Sequence, residues 1–308
     1  MSTPDGAVGR SSATTNLAPL ARPSGAFAML ALDQRESLRT MLTPAFPAGV
    51  PDRALSEFKV EAARALAGAA SAVLLDVAFG LESVRAAGGL PPRVGLIVAA
   101  DRLTQEPGEP VESTEVDEDV LADDAIAAMA DAYKLLVIWR SGQEADARRR
   151  TVESFLEGCA RQGRPGIVEG IVRPAPGTEL RPDEHADLVL EAAGELAGFG
   201  PALYKAEVPT LGAGTDSDVE GGARRVTEAI ACPWVVLSNG TPPERFDSAT
   251  LAACRGGASG FLAGRAIWIR SLDVPDRAAH LRDVAAPRLR QLATSVDAVA
   301  RPWWEASR

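Results

Sequence analysis

The feature that most constrains the fold is a set of short apolar runs that recur along the chain. Eight runs of 6 to 9 residues are rich in Val, Ile, Leu and Ala: Ala26–Asp33, Ala72–Val77, Val94–Asp101, Ala132–Trp139, Ile167–Arg173, Ala202–Pro209, Pro233–Gly240 and Gly260–Trp268. Such runs are typical of parallel strands buried on both faces. Helical patterns lie between them, at Ser56–Ala70, Glu144–Gln162, His185–Ala197 and Gly221–Ala231. The alternation predicts a (β/α)8 TIM barrel, with a doubly wound sheet as the alternative. No GxGxxG sequence follows the first run to support that alternative.

Composition disfavours several classes of function. The formal net charge is −10, whereas a nucleic-acid-binding protein needs a basic face. No apolar run approaches the roughly 20 residues of a membrane span. The two histidines, His185 and His280, are too few for a zinc aldolase and make a Ser-His-Asp hydrolase difficult to build. We expect no metal or cofactor, no nucleic-acid or membrane partner, and a small anionic substrate held by local cations.

The cysteines and the N-terminal segment predict location and domain layout. Cys159, Cys232 and Cys254 are far apart and odd in number, which is typical of reduced thiols in a cytoplasmic protein. Residues 1–23 are rich in Ser, Thr, Pro and Gly and lack the apolar core of a signal peptide. We expect residues 1–23 to be a disordered lead-in and residues 24–308 to form a single barrel domain.

Lysine is unusually rare in this chain. Three lysines stand against twenty-nine arginines among the 32 basic residues. Lysine can lose its proton and act as an amine nucleophile, whereas arginine cannot, so a retained lysine is a candidate for covalent chemistry. Lys59 lies in a helix-like segment and is expected to be a solvated surface residue. Lys134 and Lys205 lie within apolar runs.

Polar residues and two glycines occur near the carboxyl ends of the predicted strands, where barrel enzymes carry their active sites. In chain order they are Asp33, Gln34, Arg35, Asp76, Asp101, Lys134, Glu169, Arg173, Lys205, Glu207, Ser238, Asn239, Gly240, Gly264 and Arg265. Because side chains alternate between the two faces of a strand, Lys205 shares a face with Leu203 and Glu207. If the charged faces point inward, Lys134, Glu169 and Lys205 meet inside the barrel. A structural ion-pair network is the other reading of such a cluster.

Two lysines and a glutamate suit Schiff-base chemistry. A neutral amine is the nucleophile, and a second cation nearby favours the neutral form. A carboxylate within hydrogen-bond reach can carry protons while the carbinolamine loses water. Lys205, Lys134 and Glu169 supply these three roles.

The last two strand ends predict an anion site. Barrel enzymes often bind phosphate with the loops after strands seven and eight. Ser238-Asn239-Gly240 and Ala263-Gly264-Arg265 offer a hydroxyl, glycine backbone and a guanidinium for such a ligand. Ordinary tight turns built from small residues are the alternative.

One long acidic loop, Thr104–Glu118, follows the third predicted strand. Loops after strands surround the active-site end of a barrel, so this loop is a candidate lid. A solvated acidic loop is the equally simple reading.

At these residues the chain resembles class I aldolases of the tagatose-1,6-bisphosphate aldolase type, and within them the sulfofructosephosphate aldolases. The resemblance covers nearly the whole chain after Ser24. Its most specific segments are DQRE, KLLVIWRS and GASGFLAGRA, together with LYKAEVP around Lys205. The family has LSSG or LSAG where this chain has Asn239, and commonly KVE where it has Ala206.

The resemblance implies a barrel fold and a Schiff-base lysine at Lys205. It implies cleavage of 6-deoxy-6-sulfofructose 1-phosphate into dihydroxyacetone phosphate and sulfolactaldehyde. Glu169 would then carry protons, Lys134 would tune Lys205, and Asp33 would orient substrate hydroxyls or assist catalysis. The remaining predicted substrate-binding residues are Gln34, Arg35, Asp76, Arg173, Ser238, Asn239, Gly240, Gly264 and Arg265.

Other functions remain open at this point. A class I aldolase acting on tagatose or fructose 1,6-bisphosphate, or on another ketose 1-phosphate, uses the same residues. A non-covalent sugar-phosphate isomerase or epimerase would use Glu169 as base without a reactive lysine, and a non-catalytic sensor would need neither. Barrels of this kind often associate, so a homo-oligomer is expected, with Trp303 and Trp304 as a candidate contact.

Overall fold

The fold is a closed barrel of eight parallel strands, as the alternating apolar runs predict. The structure, a computed structural model, describes residues 16–174 and 178–306. The barrel strands are β1 Phe27–Leu32, β2 Ala72–Leu75, β3 Gly95–Ala99, β6 Ala132–Trp139, β7 Gly166–Val172, β8 Leu203–Glu207, β9 Trp234–Leu237 and β10 Gly260–Ala263. They follow the order β1, β10, β9, β8, β7, β6, β3 and β2 around the barrel. The strands β4 Asp101–Thr104 and β5 Ser113–Val116 form a separate antiparallel hairpin.

Helices connect the strands and cover the outside of the barrel. They are α1 Glu36–Leu42, α2 Asp52–Leu66, α3 Glu82–Ala86, α4 Glu118–Ala122, α5 Asp124–Met129, α6 Ala145–Arg161, α7 Pro182–Gly198, α8 Asp216–Ala229, α9 Phe246–Arg255, α10 Arg265–Trp268, α11 Arg277–His280, α12 Ala286–Asp297 and α13 Trp303–Ala306. The four predicted helices are confirmed as α2, α6, α7 and α8, with shifted ends. Their apolar faces pack on the outward side chains of the strands and form the larger hydrophobic core. Within the described ranges, no helix has the length and apolar character to cross a membrane.

The eighth apolar run was predicted as one strand over Gly260–Trp268, and this prediction is wrong in its second half. The strand ends at Ala263, and helix α10 begins at Arg265. Gly264 lies between them with φ −120° and ψ −83°, which is not an extended conformation. The indole Nε1 of Trp268 donates a 3.2 Å hydrogen bond to the Ala31 carbonyl, so the helix folds back over β1. Apolarity alone does not distinguish a short buried helix from a buried strand.

Strand register confirms the predicted inward faces. Leu136, Glu169, Lys205 and Val235 lie side by side on β6, β7, β8 and β9. Nearer the amino ends of β6, β7 and β8, the inward residues Ala132, Ile167 and Leu203 are apolar, and they pack with other inward side chains of the barrel. The charged side chains therefore form a layer above an apolar floor.

The chain before β1 packs against the barrel. Leu17 and Leu20 are buried and join the interior apolar cluster. Arg22 forms an ion pair of 2.7 Å with Asp297 of α12, and the Ser24 hydroxyl donates to the same carboxylate. The predicted disordered lead-in of residues 1–23 is therefore too long, because residues 16–23 have fixed contacts. Residues 1–15 lie outside the described residues.

Lys59 was expected at the surface, and this expectation is wrong. The Lys59 side chain is fully buried on α2 and forms an ion pair with Asp76, which follows β2. The other oxygen of Asp76 accepts a 2.8 Å hydrogen bond from the Phe79 backbone N–H. A buried charge is tolerated only where it is paired and hydrogen-bonded, and this pair joins a helix to a strand end.

Gly260 provides a test of how closely the barrel strands pack. It has φ +133°, and an added Cβ would lie 2.0 Å from the Phe27 carbonyl oxygen. We expect Gly260→Ala to lower the free energy of unfolding by about 3 kcal/mol or more, because backbone strain and overpacking add. Gly194 is an exposed position of α7, and a Cβ added there meets open space. Gly194→Ala should instead raise the free energy of unfolding by about 0.5–1 kcal/mol. Urea unfolding of both variants makes the comparison, and equal effects would contradict the close packing.

The Lys59–Asp76 pair gives a second prediction. Lys59→Met leaves a buried carboxylate without its cation, so the free energy of unfolding should fall by about 3–5 kcal/mol. The matched control is Arg85→Met, which removes an exposed pair with Glu82 and should cost no more than about 1 kcal/mol. Chemical denaturation measures both. A cost for Lys59→Met no larger than that of the control would show that the buried pair is not needed.

Candidate active site

A cavity of about 750 Å³ opens at the carboxyl ends of the barrel strands. Eleven of the predicted catalytic and substrate-binding residues line it: Asp33, Gln34, Arg35, Lys134, Glu169, Arg173, Lys205, Ser238, Asn239, Gly264 and Arg265. The barrel topology brings them together from the ends of β1, β6, β7, β8, β9 and β10, although they lie between residues 33 and 265 of the sequence. The volume suits a small-molecule ligand.

Two predicted substrate-binding residues do not line this cavity. Asp76 is turned to its buried pair with Lys59. Gly240 follows Asn239 with φ +74°, and an added Cβ would lie 2.7 Å from the Leu211 side chain. Gly240 therefore shapes the turn behind the cavity wall and leaves Ser238 and Asn239 facing the cavity.

Lys134 is the centre of the charged layer. Its Nζ lies 2.9 Å from Asp33, 3.1 Å from Asp101 and 2.8 Å from Glu169. Burial disfavours the ammonium, but the three carboxylates outweigh burial and raise the pKa of Lys134 well above its usual range. Lys134 therefore stays protonated at neutral pH. The sequence predicted Lys134 as a cation beside Lys205. The structure adds that three carboxylates compensate the charge of Lys134.

Asp33 and Asp101 are held as carboxylates by the same cations. Burial opposes the charge on Asp33, but Lys134 and then Lys205 lower its pKa far below the usual value. For Asp101, burial is likewise outweighed by Lys134 and Arg35, and the net pKa is lowered. The Arg35 guanidinium pairs with Asp101 and donates a 2.7 Å hydrogen bond to its backbone carbonyl. Sequence reasoning noted Asp101 at a strand end but gave it no role.

Lys205 has a different environment from Lys134. Its Nζ lies 3.0 Å from Glu169 Oε2, the same oxygen that lies 2.8 Å from Lys134. Within the described ranges, Glu169 is the one carboxylate in an ion pair with Lys205, whereas Lys134 has three. Lys205 lines the cavity and is 4% exposed. Of the two lysines that line the cavity, Lys205 is thus the one suited to act as an amine nucleophile.

Arg173 and Arg265 carry charge that no carboxylate neutralises directly. Neither forms an ion pair with a carboxylate in the part of the chain that the structure describes. Burial lowers the pKa of each guanidinium, and Glu207 acts on both in the opposite direction. Both side chains line the cavity, so both can meet an anionic ligand there.

A polar network behind the anion loop was not recognised in the sequence. Asn239 Nδ2 donates a 2.7 Å hydrogen bond to Glu207, and Arg265 donates a 2.5 Å bond to Asn239 Oδ1. His185 of α7 lies 3.5 Å from Glu207 and is buried. Alternation had placed Glu207 on the inward face, which was a usable signal. His185 lay in a polar helical pattern that gave no indication of burial.

The acidic loop forms part of the cavity wall. Residues 101–104 and 113–116 pair as the β4–β5 hairpin, so the predicted irregular loop is partly a strand pair. Leu103, Gln105, Gly108, Glu109, Pro110 and Val111 line the cavity. The segment therefore covers one side of the barrel mouth, where a lid would lie.

Comparison with known proteins shows the family of the chain. A family described as "DeoC/LacD family aldolase" matches residues 27–270. The tagatose 1,6-diphosphate aldolase of Listeria monocytogenes serotype 4a is 26% identical over 92% of this chain and 91% of its own length. Tagatose 1,6-diphosphate aldolase 1 of Enterococcus faecalis is 27% identical over 82% of this chain and 83% of its own.

Solved structures share the fold at low sequence identity. Fructose-bisphosphate aldolase from Plasmodium falciparum superposes with a TM-score of 0.69 at 15% identity, covering 94% of each chain. An archaeal fructose 1,6-bisphosphate aldolase superposes with a TM-score of 0.60 at 19% identity, covering 93% of this chain and 99% of that one. The family match over most of the barrel, with the lysine and glutamate cluster inside it, leads to one conclusion. The chain belongs to the DeoC/LacD family of class I aldolases and is a carbon–carbon lyase.

Proposed function

We propose that the chain cleaves 6-deoxy-6-sulfofructose 1-phosphate into dihydroxyacetone phosphate and sulfolactaldehyde through a Schiff base on Lys205. The observation that carries the covalent part is the contrast between the two lysines that line the cavity. Three carboxylates hold Lys134 as an ammonium, whereas among the described residues Lys205 forms an ion pair with Glu169 only.

The proposed reaction begins when the neutral Lys205 amine attacks the substrate C2 carbonyl. Glu169, which first takes a proton from the Lys205 ammonium, donates it to the departing hydroxyl, so the carbinolamine loses water and becomes a cationic imine. The Glu169 carboxylate then accepts the proton of the C4 hydroxyl and the C3–C4 bond breaks. Its electrons flow into the imine and form an enamine, and the aldehyde leaves. Protonation of the enamine at C3 and hydrolysis release dihydroxyacetone phosphate and restore the amine.

Charge balance at the centre supports an imine that carries positive charge. Asp33, Asp101 and Glu169 provide three negative charges, while Lys134 and Arg35 provide two positive charges. These charges leave one negative charge before Lys205 is counted, so a cationic imine on Lys205 is favoured there. Asp33, held as a carboxylate beside Lys134, is placed to accept hydrogen bonds from substrate hydroxyls.

The two ends of the sugar are assigned by the remaining cavity residues. We assign the C1 phosphate to Ser238, Gly264 and Arg265, where a hydroxyl and a guanidinium face the cavity. Arg173 is then the unpaired cation for the other end, with Gln34 as a neutral donor and Arg35 already paired to Asp101.

The sulfonate fits this distribution of charge. A sulfonate is a monoanion, and one unpaired guanidinium matches it. Glu36, which is paired with Arg39, and Glu109 also line the cavity, and the Glu109 carboxylate disfavours a second dianion. Tagatose 1,6-bisphosphate is the second candidate substrate, because the similar curated proteins bear the name tagatose 1,6-diphosphate aldolase.

Reductive trapping tests the Schiff base. Borohydride added with dihydroxyacetone phosphate should give one covalent adduct, which peptide mass spectrometry should map to Lys205. Lys205→Ala should abolish the adduct because the amine is removed. An adduct that persists in Lys205→Ala, or that maps to Lys134, would overturn the assignment.

Glu169→Gln tests the proton carrier. The variant keeps the shape of the side chain but removes its charge, so kcat for cleavage should fall by about 10²–10⁴. The adduct on Lys205 should form more slowly but remain detectable, because the amine is still present. The isosteric control Glu195→Gln changes a carboxylate that pairs with Arg148 outside the cavity and should retain kcat. Unchanged turnover in Glu169→Gln would contradict the role.

Arg173→Met tests the substrate. Removing the unpaired cation should lower kcat/KM for sulfofructose 1-phosphate by about 10- to 100-fold, the value of a charge-assisted contact. Trapping of dihydroxyacetone phosphate should not change, because this fragment does not reach Arg173. The same assay with tagatose and fructose 1,6-bisphosphates ranks the candidate substrates. If Arg173→Met weakens trapping of dihydroxyacetone phosphate as much as cleavage, Arg173 binds the phosphate end instead. If the wild type cleaves a bisphosphate faster than sulfofructose 1-phosphate, the bisphosphate is the better substrate and the sulfosugar assignment is wrong.

A further inference from the structure

Four residues connect helix α7 to the cavity through an unbroken series of polar contacts. His185 Nδ1 lies 2.9 Å from the Pro209 carbonyl oxygen, and His185 Nε2 lies 3.5 Å from Glu207 Oε2. Glu207 Oε1 accepts a 2.7 Å bond from Asn239, whose Oδ1 accepts a 2.5 Å bond from Arg265. The series ends on the guanidinium that faces the cavity.

The direction of each contact at Asn239 is fixed by its neighbours. The Glu207 carboxylate only accepts hydrogen bonds, so the amide Nδ2 must face it. The guanidinium of Arg265 only donates, so the amide Oδ1 must face Arg265. A neutral side chain that both donates and accepts is therefore required between a carboxylate and a guanidinium.

Two other side chains at this position would fail for different reasons. Serine, one of the two residues that the family resemblance places here, is too short to span from Glu207 to Arg265. Aspartate has the length but would pair with Arg265, neutralise it and repel Glu207. Asparagine fixes one donor of Arg265 and leaves its charge and its remaining donors for a ligand.

Glu207 is itself held from several sides. Its Oε2 accepts a 2.9 Å hydrogen bond from the Val172 backbone N–H of β7. Both ring nitrogens of His185 face acceptors, the Pro209 carbonyl and this carboxylate, which favours the imidazolium. Burial opposes that charge, but the contact with Glu207 outweighs burial and the pKa of His185 is raised. The carboxylate is 2% exposed and is anchored before a ligand enters.

We propose that Glu207 and Asn239 are positioning residues that aim Arg265 at the substrate phosphate, with His185 as the buried partner that anchors Glu207. The inference rests on the proposed binding of the C1 phosphate by Arg265. It adds that affinity for the phosphate is set by residue 239, which is a point of departure from the resembling family.

The experiment compares a phosphorylated and an unphosphorylated ketone. Dihydroxyacetone phosphate and dihydroxyacetone are each trapped on Lys205 with borohydride over a range of concentrations. The proteins are the wild type, Asn239→Ser, Asn239→Asp and Glu207→Gln. Glu195→Gln is the control, because it makes the same carboxylate-to-amide change in a pair with Arg148 that does not contact Arg265.

A positioning role predicts that only the phosphorylated ketone is affected. The half-saturating concentration of dihydroxyacetone phosphate should rise by about 10- to 100-fold in Asn239→Ser and Glu207→Gln, as expected for a lost charge-assisted contact. Asn239→Asp should be weaker still, although aspartate is closer in shape, because it neutralises Arg265. The half-saturating concentration of dihydroxyacetone should equal that of the wild type in all variants. For Glu195→Gln, the half-saturating concentrations of both ketones should equal those of the wild type.

A merely structural role predicts a different pattern. Aspartate would then be tolerated better than serine, or both ketones would lose trapping together, and either result overturns the proposal. The proposal is also overturned if Asn239→Asp is trapped with the same half-saturating concentration of dihydroxyacetone phosphate as the wild type. If the wild type gives no adduct with either ketone, the Schiff-base function fails. In that case calorimetric titration with dihydroxyacetone phosphate decides the positioning role alone, since wild-type affinity in Asn239→Asp would still reject it.

Discussion

A buried ammonium inside the barrel is the constraint on which the site depends. Lys134 is 1% exposed, and an unpaired charge at that depth would cost several kcal/mol. Three carboxylates therefore converge on it, from the end of β1, the start of the β4–β5 hairpin and the middle of β7. Asp101 is in turn fixed by Arg35 and by the Leu136 backbone N–H. The same contacts that satisfy Lys134 place one oxygen of Glu169 between the two lysines.

The cavity consequently contains two kinds of cationic side chain, those paired with carboxylates and those that form no ion pair among the described residues. At its centre, Lys134 and Arg35 are neutralised by carboxylates, so they organise the site. At its rim, Arg173 and Arg265 line the cavity without a carboxylate partner among the described residues. Burial of a guanidinium without a counter-ion is unfavourable, and an anionic ligand relieves it. The chemistry proposed for the centre and the recognition proposed for the rim thus both rest on one arrangement of buried charge.

Much of the site was predictable because strands impose a strict alternation. Lys134, Glu169 and Lys205 each lie in an apolar run, and alternation, with the charged faces assigned inward, brought them together. The contacts outside that rule were not predictable. Lys59 was placed at the surface because its helical pattern is polar enough for a solvated face, yet Asp76 pairs with it from another element. His185 likewise gained its role only when α7 packed beside the end of β8.

The sequence by itself determined the barrel, the inward layer of two lysines and a glutamate, and the polar strand ends, because apolar periodicity and alternation are local properties of the chain. The tertiary structure decided which lysine is compensated and which guanidiniums remain unpaired. Those outcomes depend on distances between residues far apart in sequence, such as Asp33 and Lys134, separated by 101 positions and joined at 2.9 Å. Strand order and register set such distances, and periodicity within a single segment carries no information about them.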